Sequence, residues 1–413
     1  MSSSALHQPG FIQLWAGEAL SQFGWQFTGL AVPVIAVNLL HASDAEMGYL
    51  NAANTIAFLA IGLVAGGLVD RWRKRRVMIV TDLIRAGVVL SVPLMFAFGQ
   101  PQMWHFYFVA MALGFATVFF DIAYQSYIPV LVESDAVGDA NAKLETTAQI
   151  ARLGGPGLAG LLLRVVSAPV LMLVNAVGFL ASAGFLSTIR DSEAPVPRSK
   201  RPPLMKEIGE GISFVWQQHF LRRVTMTTAL SNLGATIIFT LEPILVLRML
   251  GVTPFWYGVI ASVGAIGGLL ASLVTTRLSD RIGQGQALVL AMLISGAGMA
   301  LLPLAVLVPT GWVIPVLMVQ SFLVAFAVIV YNVLQVTARQ RLCPTPLLGR
   351  MNASIRFVVW GIMPISALLA GLLGSALGTV GAIWVGVALA AAACLPLLLS
   401  RYARMRELPT SPE

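Results

Sequence analysis

The chain has 413 residues, 57% of them hydrophobic and 11% charged, with a formal net charge of +8 and a mean hydropathy of +0.83. No water-soluble core of this size requires such a balance, so lipid is the expected solvent. The positive charge does not imply a nucleic-acid partner, because the cations fall on alternate loops and do not form one patch.

Apolar stretches long enough to cross about 30 Å of hydrocarbon as helices recur twelve times. They lie at roughly 11–37, 47–69, 77–98, 103–131, 144–166, 169–189, 221–248, 256–279, 287–308, 312–340, 350–375 and 379–399. A membrane barrel would instead show segments of about ten residues alternating apolar and polar. The predicted fold is therefore an all-α membrane protein with twelve transmembrane helices in two pseudo-symmetric six-helix bundles. Residues 1–190 form the first, 191–219 a cytoplasmic linker, and 220–413 the second. Lysine and arginine concentrate after even-numbered helices, with Arg164 and Arg248 as exceptions, which predicts that both termini are cytoplasmic. No signal peptide is expected, since the first ten residues lack Lys and Arg and no small-residue cleavage site follows. Cys343 and Cys394 are far apart, so neither a disulfide nor a metal site is expected of them.

Helix 1 carries Glu18 inside the hydrocarbon. An acid there faces a partner or a water-filled cavity, and two readings stand: a neutral acid hydrogen-bonded within the bundle, or a site that binds and releases a proton. Helix 2 runs into Gly66-Gly67-Leu68-Val69-Asp70-Arg71-Trp72-Arg73-Lys74-Arg75-Arg76, where a glycine-bearing helix ends on an aspartate followed by five cations. We read this stretch as a hinge, with glycines for close backbone approach and cations marking the cytoplasmic face. In helix 3, Asp82 and Arg85 share one face and can neutralise each other. Helix 4 offers Asp121 as a second acid, and Tyr124 and Gln125 as candidates to line a substrate cavity.

Helix 5 contains Glu145 and then Gly154-Gly155-Pro156-Gly157-Leu158-Ala159-Gly160. Proline kinks the helix, and Gly154, Gly155 and Gly160 are expected to let a neighbour pack against the bend. The linker opens with a proline-rich run over 195–203 and closes with a short amphipathic helix bearing Ile208, Ile212, Val215 and Trp216 on one face. Helix 7 carries Asn232 and a third acid, Glu242, which beside Pro243 fits a helix end in partial water or a proton site.

About 210 residues after the first hinge, Arg277-Leu278-Ser279-Asp280-Arg281 repeats the Asp-Arg pair at the end of an apolar helix. Helix 10 ends with Tyr331, Asn332 and Gln335, further candidates for the cavity. Asn141-Ala142 then aligns with Asn352-Ala353, and Leu158–Leu162 with Leu369–Leu373, which places Glu145 opposite Arg356. An acid in one half and a base in the other is what a reversible electrostatic latch requires.

Together these features resemble the major facilitator superfamily. The Gly-Pro stretch of helix 5 is similar to the drug:proton antiporter signature. Leu14-Trp15 to Gly24, Ala123-Tyr124-Gln125-Ser126 with Pro129, and Asn141-Ala142 resemble the branch of macrolide and enterobactin exporters. Arg73 and Lys74 depart from the usual glycine and arginine of the hinge motif, and Trp25 stands where the branch often has a polar or acidic residue. The resemblance implies that helices 2 and 11, and 5 and 8, meet, with Asp70 toward Arg356 and Glu145 toward Arg277 or Arg281. It further implies secondary active export of a small amphipathic compound in exchange for protons by alternating access. A proton-coupled importer and a non-transporting scaffold or sensor are the alternatives. Expected partners are a small-molecule substrate, protons and the lipid bilayer, with a monomeric chain and no cofactor. No Gly-x-x-x-x-Gly-Lys-Ser/Thr loop occurs, and no enzymatic chemistry is expected.

Overall fold

A computed structural model describes residues 5–8, 10–62, 65–69, 71–133, 135–190, 204–344 and 347–409. Among these residues the regular structure is helical throughout. The elements are α1 (Phe11–Val34), α2 (Asp44–Ile61), α3 (Ala65–Val69), α4 (Lys74–Phe98), α5 (Met103–Leu131), α6 (Val137–Leu162) and α7 (Ala168–Thr188). They continue as α8 (Leu204–Gln217), α9 (His219–Pro243), α10 (Pro254–Ile282), α11 (Gln284–Leu304), α12 (Thr310–Leu342), α13 (Leu348–Ala392) and α14 (Leu395–Leu398).

Nine of these segments are long and apolar enough by themselves to cross a membrane, among the described residues. One of them, Arg350–Leu398, holds two crossings. Gly378 lies inside α13 at φ 74°, a conformation that other residues adopt only with strain, and it separates the eleventh and twelfth helices. The second and fifth helices complete the twelve but fall outside the nine. α6 carries Asp139, Lys143, Glu145 and Arg152, whereas the second helix is described as α2 and α3, with residues 63–64 between them outside the described residues. At Gly62 the backbone N–H still bonds to Phe58 at 3.2 Å, four residues back, as within a helix.

The chain forms two compact units, Met1–Ala42 with Ala53–Lys200, and Ser43–Ala52 with Arg201–Glu413. In the first, α1 packs on α6 and α7, and α4 on α5 and α7. In the second, α9 packs along α13, α10 and α11 on α12, and α8 against α9 and α13. In α8, Val215 is buried and Trp216 is 52% exposed. The proline-rich part of the linker lies outside the described residues.

The opening of α2 belongs to the second unit. Gly48 lies so close to Gly371 that a Cβ would stand 2.9 Å from that residue's Cα, and the Thr379 hydroxyl donates to the Asp44 carboxylate at 2.9 Å. Asn51 donates to Thr240 at 2.6 Å.

The internal duplication is carried into backbone detail. Pro33 and Pro243 are 210 residues apart, and each precedes a π-helical segment, Ile35–Leu39 and Ile244–Met249. The wide turns close with the same bonds, from Leu40 N–H to Ile35 and from Leu250 N–H to Leu245. The next positions, His41 and Gly251, are both left-handed, at φ 52° and 64°. Gly24 of α1 sits against Asn175 of α7, and Gly234 of α9 against Gly386 of α13, so one tight helix crossing occurs once in each unit.

Candidate functional site

Three buried ionisable groups of the first unit, Glu18, Asp82 and Arg85, act on one another electrostatically. Glu18 is 8% exposed, and it is placed there by the face of α1 that packs on α7, where Gly17 meets Ser182 and Gly24 meets Asn175. Such close backbones leave no room for a large apolar side chain. Gln22, one turn on, donates to Glu18 Oε1 at 2.6 Å, while Oε2 is enclosed without a hydrogen-bond partner.

Facing it from α4 is the ion pair of Asp82 and Arg85, 0% and 4% exposed. Arg85 also lies between two rings, its guanidinium carbon 3.9 Å from the centre of Phe120 and 4.5 Å from that of Phe179. Aromatic faces are electron-rich, so this clasp holds the cation where water cannot. Arg85, Asp121 and Asp82 all act electrostatically on Glu18. Asp121 lies one residue beyond Phe120 on α5, and Tyr124 stacks on Phe120 at 6.1 Å within the fields of Glu18, Asp121 and Glu145. Of the three predicted acids, Asp121 is exposed on α5 and acts on Glu18 electrostatically. Gln125 is exposed on the same helix. The Asp82–Arg85 pairing agrees with its sequence spacing, but the sequence reading gave Phe120 and Phe179 no part in it.

Glu242 belongs to the other unit, at the end of α9, where it interacts with Tyr257 of α10. The remaining cavity candidates of that unit make separate hydrogen bonds on α9, α12 and α13. Tyr331 hydrogen-bonds Thr228 at 2.8 Å, Gln335 donates to Asn332 at 3.3 Å, and Asn232 donates to the Val359 carbonyl at 3.1 Å.

Of the hinge glycines, Gly155 is buried, with Gln26 of α1 at 2.6 Å from a would-be Cβ, and Gly160 is buried. Gly154 faces open space, so no neighbour packs on it. α6 continues through Pro156. Asp70 lies outside the described residues, and Gly66 lies within α3. Arg71 is exposed, Lys74 begins α4, and Glu145 accepts from Gln149 at 2.6 Å. Arg277, Asp280 and Arg281 are exposed on the last turns of α10. Arg356 is exposed and lies over Trp360, 4.7 Å from the ring centre.

The profile of the Major Facilitator Superfamily matches residues 14–365, most of the chain. The chain belongs to this superfamily. Its relatives include an uncharacterized MFS-type transporter, YfiS, of Bacillus subtilis (strain 168), 26% identical over 95% of this chain and 91% of that protein. Another is the multidrug efflux pump Tap of Mycolicibacterium fortuitum, 26% identical over 79% of this chain and 80% of the pump. Among solved structures, a bacterial homologue of the iron transporter ferroportin, in an inward-facing state, superposes with a TM-score of 0.74 at 16% identity. That match covers 95% of this chain and 98% of the homologue, and it supports the superfamily fold. The protein is a multi-pass membrane transporter of this superfamily, carrying a small-molecule substrate.

Proposed function

We propose that the protein is a secondary active exporter of a small amphipathic compound, driven by proton entry through alternating access. The observation that carries this reading is Glu18, a carboxylate enclosed in a membrane helix with one oxygen held by Gln22 and the other unpartnered. Such an acid can accept a proton without rearranging its neighbours. Arg85 offers a counter-charge once the proton leaves, and Asp121, exposed on α5, acts on Glu18 electrostatically. Glu242 of α9 is a further candidate, in the second unit. Export as the direction is supported by likeness to a protein named a multidrug efflux pump. The lysine and arginine distribution supports a plasma-membrane protein with both termini in the cytoplasm.

The test is an accumulation panel of drugs and amphipathic compounds in cells with and without the protein, repeated with a protonophore. Expected is lowered accumulation of at least one compound, abolished by the protonophore and by Glu18→Gln. The variant keeps the size of the side chain and its bond to Gln22 while removing the exchangeable proton. Unchanged accumulation for every compound would overturn the reading.

A further inference from the structure

A second polar cluster lies wholly within the second unit. Tyr331, Gln335 and Arg339 stand four residues apart along one row of α12, and Arg356 and Trp360 four apart on α13. Arg339 is half-buried, and its Nε is enclosed without a hydrogen-bond partner. Gln335 is 3% exposed; one end of its amide meets Asn332 and the other has no partner. Ala338 and Leu342, beside Arg339 on α12, share one buried apolar cluster with Ile355, Val359 and Trp360, beside Arg356 on α13, and the two arginines lie within each other's field. Among the described residues, no carboxylate pairs with either arginine.

Two guanidinium groups near each other repel, and neither can shed a proton. An anion is the partner that relieves both the repulsion and the lost hydration. The duplication shows that helix packing does not demand these cations. At an offset of 211, the buried positions Phe120, Ala123, Tyr127, Leu131 and Val132 of the first unit correspond to Tyr331, Leu334, Ala338, Leu342 and Cys343, all buried. In that register Arg339 replaces Ile128, and Arg356 replaces Glu145.

We propose that Arg339 and Arg356, flanked by Trp360 and Tyr331, form a subsite for the anionic group of the transported compound. The substrate is then an amphipathic organic anion, a carboxylate in its simplest form. The guanidinium groups bind its oxygens and the rings take the apolar body. That the occupant is carried outward rests on the exporter reading; that it binds does not.

The test compares 2-naphthoate with its neutral analogue 2-naphthamide, using the full chain in nanodiscs of zwitterionic lipid and calorimetry for affinity. Expected is tighter binding of the carboxylate, weakened roughly tenfold or more by Arg339→Gln or Arg356→Gln, with the amide unaffected. Failure of the wild type to prefer the carboxylate, or Gln variants that bind it as well as wild type, would overturn the proposal. Competition by anionic lipid that inorganic phosphate cannot reproduce would assign the arginines to a headgroup, and overturn the substrate claim. In proteoliposomes under a pH gradient, selective loss of naphthoate transport in Arg339→Gln, with transport of a cationic dye retained, supports the subsite. Equal loss of anion and cation would make the arginines parts of a gate and refute it. A wild type that binds naphthoate through the arginines yet moves nothing would leave the subsite standing and overturn the exporter reading.

Discussion

Asp82→Asn should be among the most damaging single substitutions in the first unit, and the damage should be largely cured by a second substitution at its partner. Asp82 is fully buried and Arg85 nearly so, and the pair lies within one helix. Removing the acid leaves a buried guanidinium that cannot deprotonate, and stranding such a charge costs about 3–5 kcal/mol. The rings of Phe120 and Phe179 surround Arg85 before and after the change, so they do not offset it. Glu18 does so once it has lost its proton, which places the expected loss at about 3 kcal/mol. Arg85→Met should cost less, about 1–3 kcal/mol, because a lone carboxyl can take up a proton. The double variant carries no stranded charge and should lie within about 1 kcal/mol of wild type. Unfolding of the purified protein in mild detergent, followed by tryptophan fluorescence, gives all four values for a double-mutant cycle. Losses that simply add would refute the argument, as would an Asp82→Asn protein indistinguishable from wild type.

Gly24→Ala should loosen α1 from α7 and destabilise by about 1–3 kcal/mol, since the added carbon would meet the Asn175 backbone at 2.9 Å. Gly87→Ala, in open space on α4, should be neutral or slightly stabilising in the same unfolding assay. At the duplicated left-handed turn, His41→Gly should stabilise by up to about 1 kcal/mol and Gly251→Ala should cost about 1–2 kcal/mol, read as opposite shifts in unfolding temperature. Gly285→Ala should free the tail that pairs Arg406 and Met405 with Gln284 and Gly285, because its Cβ would collide with the Tyr402 carbonyl. Hydrogen exchange at residues 401–408 should then rise. Export of a monovalent anion against one entering proton moves two charges inward per cycle, so a 100 mV potential contributes about 4.6 kcal/mol. A valinomycin-imposed potential should therefore accelerate naphthoate export from proteoliposomes, whereas an electroneutral cycle would indicate the anion and proton travelling together.

What could be read from the sequence was whatever repeats along one helix or between the two halves. Apolar length marked the helices, i,i+3 spacing gave the Asp82–Arg85 pair, and a fixed offset exposed the duplication. The misses are contacts between helices distant in sequence. The clasp on Arg85 joins Phe120 of α5 to Phe179 of α7, and nothing in either local pattern selects those rings from the other phenylalanines. The seating of Ser43–Ala52 in the second unit depends on Gly48, Gly371 and Gly374, and glycines are common in every helix here. Arg339 is a different kind of miss, for its signal was present. It continues the Tyr331–Gln335 row by one turn, but it also fits the cationic helix ends that the charge rule had already explained.

The duplication also separates what the fold needs from what the function needs. Residues that agree between units, such as Gly24 with Gly234 or Pro33 with Pro243, maintain a helix crossing and a π-turn that both bundles share. Residues that disagree, in places where packing is the same, have no such duty. Glu18 corresponds to Thr228, Asp121 to Asn332, Glu145 to Arg356 and Ile128 to Arg339. The first three replace an acid of the first unit with a neutral or cationic group in the second, and the fourth replaces an apolar residue with a cation. Thr228 and Tyr331 satisfy each other with a neutral hydrogen bond, whereas Glu18 is left with an open oxygen. A structural role would favour the neutral arrangement in both copies, because it carries no desolvated charge. Retaining the acid in one copy and the arginines in the other is explained if the first unit exchanges protons and the second recognises the anion.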